Sequence, residues 1–214
     1  VDAVLVTGDV LDVENRYFEG YGPFEAGARA LNDADIPLIL VGGNHDAEIV
    51  PRLINDLDLP NTRLLGRGGV WERYVLDTAG GMSINLDGWS FPAEHVAESP
   101  LTTYSMDADT NIPTLGLLHG ELGSVESPYA PITLAELVAT EVDGWLLGHI
   151  HAPAVHRERD PFVLYPGSPQ PLDPGETGTH GPWLLRVNER GNVRAEQCPL
   201  ATLRYDAFQV DTED

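Results

Sequence analysis

Aspartate, asparagine and histidine recur in this chain at the ends of short apolar runs, where side chains of that type can do chemistry. Val4-Leu5-Val6 runs into Gly8-Asp9, and Leu38-Ile39-Leu40-Val41 stops at two glycines and then presents Asn44, His45 and Asp46. Leu115–Leu118 ends in His119, and Trp145-Leu146-Leu147 leads through Gly148 to His149 and His151. Asp9 is a carboxylate ligand, Asn44 a neutral oxygen ligand, His45 a proton-transfer group, and Asp46 an acid able to orient that imidazole. The i, i+2 spacing of His149 and His151 sends both imidazoles to one side of an extended backbone. Two histidines with a carboxylate and an amide form a mixed N/O ligand set suited to Mn²⁺, Fe²⁺ or Zn²⁺. A carboxylate such as Asp9 can bridge two cations about 3.5–4 Å apart, the arrangement used for in-line displacement at phosphorus.

Such residues need strands to aim them, and polar residues at the end of a buried parallel strand are the usual site in α/β proteins. Strands are expected at Val4–Val6, Ile36–Val41, Arg63–Leu65, Trp71–Asp77, Met82–Leu86, Trp89–Phe91, Thr114–Leu118, Trp145–Leu147 and Phe162–Tyr165. Trp183–Val187 and Val193–Gln197 flank Asn188-Glu189-Arg190-Gly191-Asn192 and read as a hairpin. Helices are expected at Phe24–Ala34, at Ala47–Leu57, and at Thr133–Thr140, which opens on the capping box Thr133-Leu134-Ala135-Glu136. Tyr17–Pro23 and residues 93–111 read as loops. No internal repeat or domain linker interrupts the pattern.

Composition limits what the chain can bind. Thirty-four acids face twelve basic residues, a formal charge of −22, and every basic residue is arginine. Self-repulsion of this size is screened at high ionic strength, as in a salt-rich, halophilic cytoplasm. It argues against a simple electrostatic grip on nucleic acid, which normally needs a basic patch, so phosphate chemistry would have to take its positive charge from metal ions. The single cysteine, Cys198, rules out an internal disulfide and is compatible with a cytoplasmic protein. No apolar run approaches the roughly 20 residues that cross a bilayer.

Taken together, Gly8-Asp9-Val10-Leu11-Asp12, Gly43-Asn44-His45-Asp46, His119 and Gly148-His149-Ile150-His151 resemble the motifs of the calcineurin-like metallophosphoesterases, in the family's order. The resemblance implies an α/β fold, a four-layer αββα sandwich of two mixed sheets flanked by helices. It implies two divalent cations, foremost Mn²⁺, bridged by Asp9. Asn44, His119 and His149 would hold one cation and His151 the other. His45 would stabilise the transition state or protonate the leaving oxygen, with Asp46 behind it. Asp12 is either a residue behind the ligands or a turn acid. The family's opening Asp-x-His motif, which supplies further ligands to the cation of His151, does not precede Val1. The chain is therefore expected to be a fragment of a longer protein, poor at holding that cation on its own.

Leu164-Tyr165-Pro166-Gly167-Ser168-Pro169-Gln170-Pro171, followed by Glu176, His180-Gly181 and Trp183, is similar to the DNA-repair exonuclease (SbcD-like) branch. That implies a DNA substrate and a coiled-coil, SbcC-like ATPase partner, with assembly as a homodimer allowed and no membrane involved. Residues 1–198 would form the phosphoesterase domain and 199–214 the start of a capping or partner-binding segment. A phosphatase or small-molecule phosphodiesterase would share every metal ligand, and the acidic charge favours it. A degenerate binding module is the third alternative. His95 and His156 are expected in exposed loops, and His180 on the surface or packed behind the ligands.

Overall fold

The computed structural model of the chain describes residues 1–11, 18–107, 111–124 and 126–210, so Asp12 lies outside the described residues. In chain order it runs β1 (Val4–Val6), α1 (Phe18–Asp33), β2 (Leu38–Leu40), α2 (Val50–Leu57), β3 (Thr62–Leu64), β4 (Glu72–Asp77), β5 (Ser83–Trp89) and β6 (Thr114–His119). There follow β7 (Glu121–Leu122), β8 (Pro131–Ile132), α3 (Leu134–Val138), β9 (Gly144–Gly148), β10 (Ala154–Glu158), β11 (Phe162–Tyr165), β12 (Trp183–Val187) and β13 (Val193–Gln197).

β1, β2 and β3 form a parallel sheet in that order. A second, mixed sheet runs β10-β11-β9-β6-β5-β4, with β5, β6, β9 and β11 parallel and β4 and β10 antiparallel at its edges. The alternation of side chains along a strand sorts the apolar residues into layers. Leu38 and Leu40 face outward onto Ala28 of α1 and Val50, Leu53, Ile54 and Leu57 of α2. Ile39 and Val41, from the same run, face inward onto Leu86, Leu115 and Leu117 of the second sheet. On that sheet's other face Leu118, Trp145, Leu147, Val163 and Tyr165 pack against Ile132, Leu137 and Val142. Helices, sheet, sheet and the short α3 thus stack as the αββα order requires, and the β12–β13 hairpin packs on Leu146, Phe162 and Leu164.

Several boundaries move. α1 begins at Phe18 and carries Pro23 inside it, where a loop was expected. The φ that proline fixes is a helical one, and Tyr21 and Phe24 pack on the Leu38–Leu40 face, which draws this turn into the helix. The two strands expected around Gly88 are one, β5. Gly88 marks a close approach instead of a turn: a Cβ there would lie 2.5 Å from the Cβ of Leu65 on the facing sheet. The expected loop after Pro92 contains a 3₁₀ turn at Pro100–Thr103 with buried Leu101, and Val96 bridges Tyr129. β10 had no apolar signal because it is an edge strand, His156-Arg157-Glu158, largely exposed.

Candidate metal centre

Packing the two sheets face to face brings the C-terminal ends of β1, β2, β6 and β9 together. His119, the last residue of β6, pairs in register with Gly148, the last of β9. Thr7, just past β1, crosses directly over them. Its carbonyl accepts a hydrogen bond from His119 Nδ1 at 2.8 Å. A Cβ on Gly148 would run into that same carbonyl oxygen, so only glycine lets the first sheet approach the second here.

Asp9 follows in left-handed backbone, φ 52°, and His149 has φ 97°. For non-glycine residues such conformations cost on the order of 1–3 kcal/mol and collect at functional sites. They turn both side chains toward buried Asn44 and His119. His119 Nε2 lies 3.0 Å from Asp9 Oδ2 and 3.0 Å from Asn44 Oδ1. His149 Nδ1 is 3.3 Å from the same Asn44 oxygen. Among the described residues, ligand atoms of Asp9, His119 and His149 all lie within 4.8 Å of one another.

The donor arithmetic tests whether a cation fits. With Nδ1–H committed to the Thr7 carbonyl, neutral His119 presents a bare lone pair at Nε2. That nitrogen can face two oxygens only as the N–H of an imidazolium or as a lone pair aimed, with theirs, at a shared cation. The set of two imidazoles, a carboxylate and an amide oxygen is the mixed one that first-row divalent metals accept. The residues fit the metal.

Electrostatics agree. Burial alone would raise the Asp9 pKa, but the hydrogen bond and charge of His119, with the His45 amide and imidazole, hold it below the usual carboxylate range. His149 is pushed below the ordinary imidazole value by burial and by His119, which keeps a lone pair available. Asp46 is fully buried, and burial together with the charge of Asp9 raises its pKa to about 6. Its oxygens accept the backbone N–H groups of Gly43 at 2.7 Å and Val10 at 2.6 Å. Asp46 therefore staples the loop after β2 to the loop after β1, a role the sequence did not suggest beside the expected one of orienting His45. His45 itself is exposed, with its backbone N–H on Asp9 Oδ1 at 3.0 Å.

His151 is not in the cluster. It is about half exposed, and its Nδ1 lies 2.6 Å from Glu176 Oε1. Glu176 Oε2 accepts from Ser168 Oγ and Leu172 N–H, both at 2.9 Å. These contacts with His151 outweigh burial and hold Glu176 below the usual carboxylate range. Three neighbours had not stood out as site residues. Glu121 Oε2 lies 4.0 Å from His149 Nε2. Tyr129 lies between the rings of His149 and His95, at 5.1 and 5.5 Å. The Tyr165 hydroxyl donates to Gly120 O at 2.6 Å and accepts Leu122 N–H at 3.0 Å, which fixes the segment after His119. Glu121 sits two residues past His119, a signal that could have been used; Tyr129 had none. His95 is exposed in a loop as expected; His156 is exposed but lies on the edge strand β10 and not in a loop; His180 is buried, the second of its two expected placements.

The model of the calcineurin-like phosphoesterase superfamily domain matches residues 1–181. An uncharacterized metallophosphoesterase, YhaO of Bacillus subtilis (strain 168), is 30% identical over 219 residues, covering all of this chain and 52% of its own length. The chain thus spans about half the length of that relative. With the family's model matching most of the chain and the strand ends assembled as above, the protein belongs to the calcineurin-like phosphoesterase superfamily.

Proposed function

We propose that this protein is the phosphoesterase part of a metal-dependent DNA exonuclease of the SbcD-like branch, hydrolysing phosphodiesters with two divalent cations, Mn²⁺ foremost. The observation that carries the metal-dependent reading is the convergence of His119 Nε2, Asp9 Oδ2 and Asn44 Oδ1 at 3.0 Å, an arrangement that calls for a positive charge, on the ring or as a cation among the three. Asp9, Asn44, His119 and His149 would hold one cation; Asp9 and His151 would contribute to the other. When bound, such cations activate water and neutralise charge growing on the phosphate oxygens.

The chain's own residues do the rest. Asp46 holds the Asn44–His45 turn against the Asp9 turn through two backbone amides. His45, exposed beside Asp9, gives a proton to the departing sugar oxygen. The DNA reading is supported by the Pro-Gly-Ser turn at 166–168 with Glu176 and His180 behind it, and it brings with it a coiled-coil ATPase partner and a cytoplasmic location. No helix among the described residues is long and apolar enough to cross a membrane.

A second reading, hydrolysis of small phosphoesters, is favoured by the −22 charge and by Glu121 beside His149, since both repel a polyanion. The test is an assay of the full-length protein with Mn²⁺ in high salt. Degradation of linear DNA from its ends supports the nuclease. Turnover of small phosphodiesters or monoesters with DNA intact rules it out in favour of the second reading.

A further inference from the structure

We infer that Glu176 is a positioning residue for His151: its carboxylate fixes the imidazole as the Nδ1–H tautomer and leaves the Nε2 lone pair facing outward as a metal ligand. The geometry is that of a clamp. Glu176 Oε1 takes the His151 Nδ1 proton at 2.6 Å, a charge-assisted distance. Its other oxygen is tied by the Ser168 hydroxyl and the Leu172 amide, so the carboxylate cannot swing away. Only about a tenth of its side chain is exposed, although His151 is half exposed.

The clamp is anchored from behind. His180 is buried, and its Nδ1 donates to the Ser168 carbonyl at 2.9 Å with the Ser168 hydroxyl oxygen 3.1 Å away. Ser168 N–H in turn bonds the His151 carbonyl at 2.9 Å. The Ser168 hydroxyl proton goes to Glu176, so every donor in the chain His180–Ser168–Glu176–His151 has an acceptor. The one orphan is His180 Nε2, buried without a partner. Its burial packs the imidazole as a wedge under the Ser168 turn.

This explains why a solvent-exposed histidine is held by a nearly buried acid at short range. An exposed imidazole left alone samples both tautomers and many rotamers. A carboxylate on one nitrogen fixes ring orientation and raises the basicity of the other, the standard support of a metal-bound histidine. Glu176 lies 25 residues beyond His151, on a loop otherwise outside the cluster of Asp9, Asn44, His119 and His149. The inference rests on the dinuclear reading only for what Nε2 faces; the tautomer belongs to the metal-free chain.

The experiment uses ¹⁵N-histidine-labelled chain and long-range ¹H–¹⁵N correlation spectra, metal-free and then titrated with Zn²⁺, for wild type, Glu176→Ala and Glu176→Gln. Wild type should show His151 protonated at Nδ1. Glu176→Ala should give a tautomer mixture and weaken Zn²⁺ at His151 roughly 10–100-fold. Glu176→Gln, which keeps an acceptor, should retain the tautomer. His119 and His149 should take up Zn²⁺ alike in all three. A wild-type His151 protonated at Nε2 overturns the inference, as does a Glu176→Ala spectrum with the wild-type tautomer. If Zn²⁺ perturbs His119 and His149 but binds His151 equally in wild type and Glu176→Ala, the clamp fails while the metal reading stands. If Zn²⁺ perturbs none of them in wild type, the metal reading fails and the ligand role of Nε2 with it, while the tautomer is decided by the metal-free spectra.

Discussion

Two histidine clusters are joined through the Gly148–His151 segment, and they are built on opposite principles. Around His119 one ring nitrogen faces two oxygens at 3.0 Å, one of them a carboxylate, in a buried setting at the junction of two sheets. Around His151 the atoms are matched: each donor meets an acceptor, and the imidazole itself is half exposed. Buried acceptors without donors are costly, so the first cluster makes sense only with a positive charge in it. The second has one unpartnered buried atom, His180 Nε2, and on the inference above its contacts aim one nitrogen of His151. On the proposed function the first cluster would hold a cation, and the second would support a ligand to another.

The sharpest way to break this contrast is to remove the central ring. His119→Ala should weaken Mn²⁺ binding at the first cluster by roughly 100-fold or more and abolish turnover in the full-length enzyme. Calorimetric titration of Mn²⁺ into the variant checks it. By the same account His45→Ala should abolish turnover while leaving Mn²⁺ affinity nearly unchanged, since its proposed role is toward the leaving group and its imidazole is outside the proposed ligand set.

The junction itself comes next. Gly148→Ala places a methyl against the Thr7 carbonyl and should destabilise the chain by about 2–3 kcal/mol, read by urea denaturation. Asp46→Ala leaves the Gly43 and Val10 amides without their Asp46 acceptors and should cost about 1–3 kcal/mol for each amide that stays buried and unsatisfied.

The smallest effect is a pH slope. The Asp46 pKa in the folded chain is about 6, raised from 3.8, so the folded state holds the extra proton between those values. Its contribution to stability is therefore fully present below about pH 4 and is lost as pH rises through about 6. Asp9 works the other way: its lowered pKa adds stability above about pH 4 that is lost as pH falls. Urea denaturation of wild type and Asp46→Asn across pH 4–7 isolates the first term. The metal-free wild type should lose stability relative to the variant as pH rises, and parallel curves would deny the burial of a strained acid.

Strand ends and ligand types were legible because they are local. A run such as Leu38–Val41 followed by glycines and polar residues announces a buried strand and its mouth. The hairpin at Trp183–Gln197 and the cap at Thr133 were legible for the same reason. What pairs across the fold was not. Nothing near Thr7 says that its carbonyl will fix the tautomer of a histidine 112 residues away. Nothing near Asp46 says that its oxygens will bind backbone amides of two different loops. Gly88 looked like a break because a strand glycine and a turn glycine are identical in sequence, and only the facing Leu65 distinguishes them. Glu176 was visible as part of a motif, but its partner was not.

The most direct test of the central claim is crystallographic: soak the protein with Mn²⁺ and compute the anomalous difference map. The account predicts a peak about 2.0–2.3 Å from His119 Nε2, the Asn44 side-chain oxygen and Asp9 Oδ2, with His149 completing the set. A map with no peak there, or with Mn²⁺ only on surface acids away from His119, would contradict it.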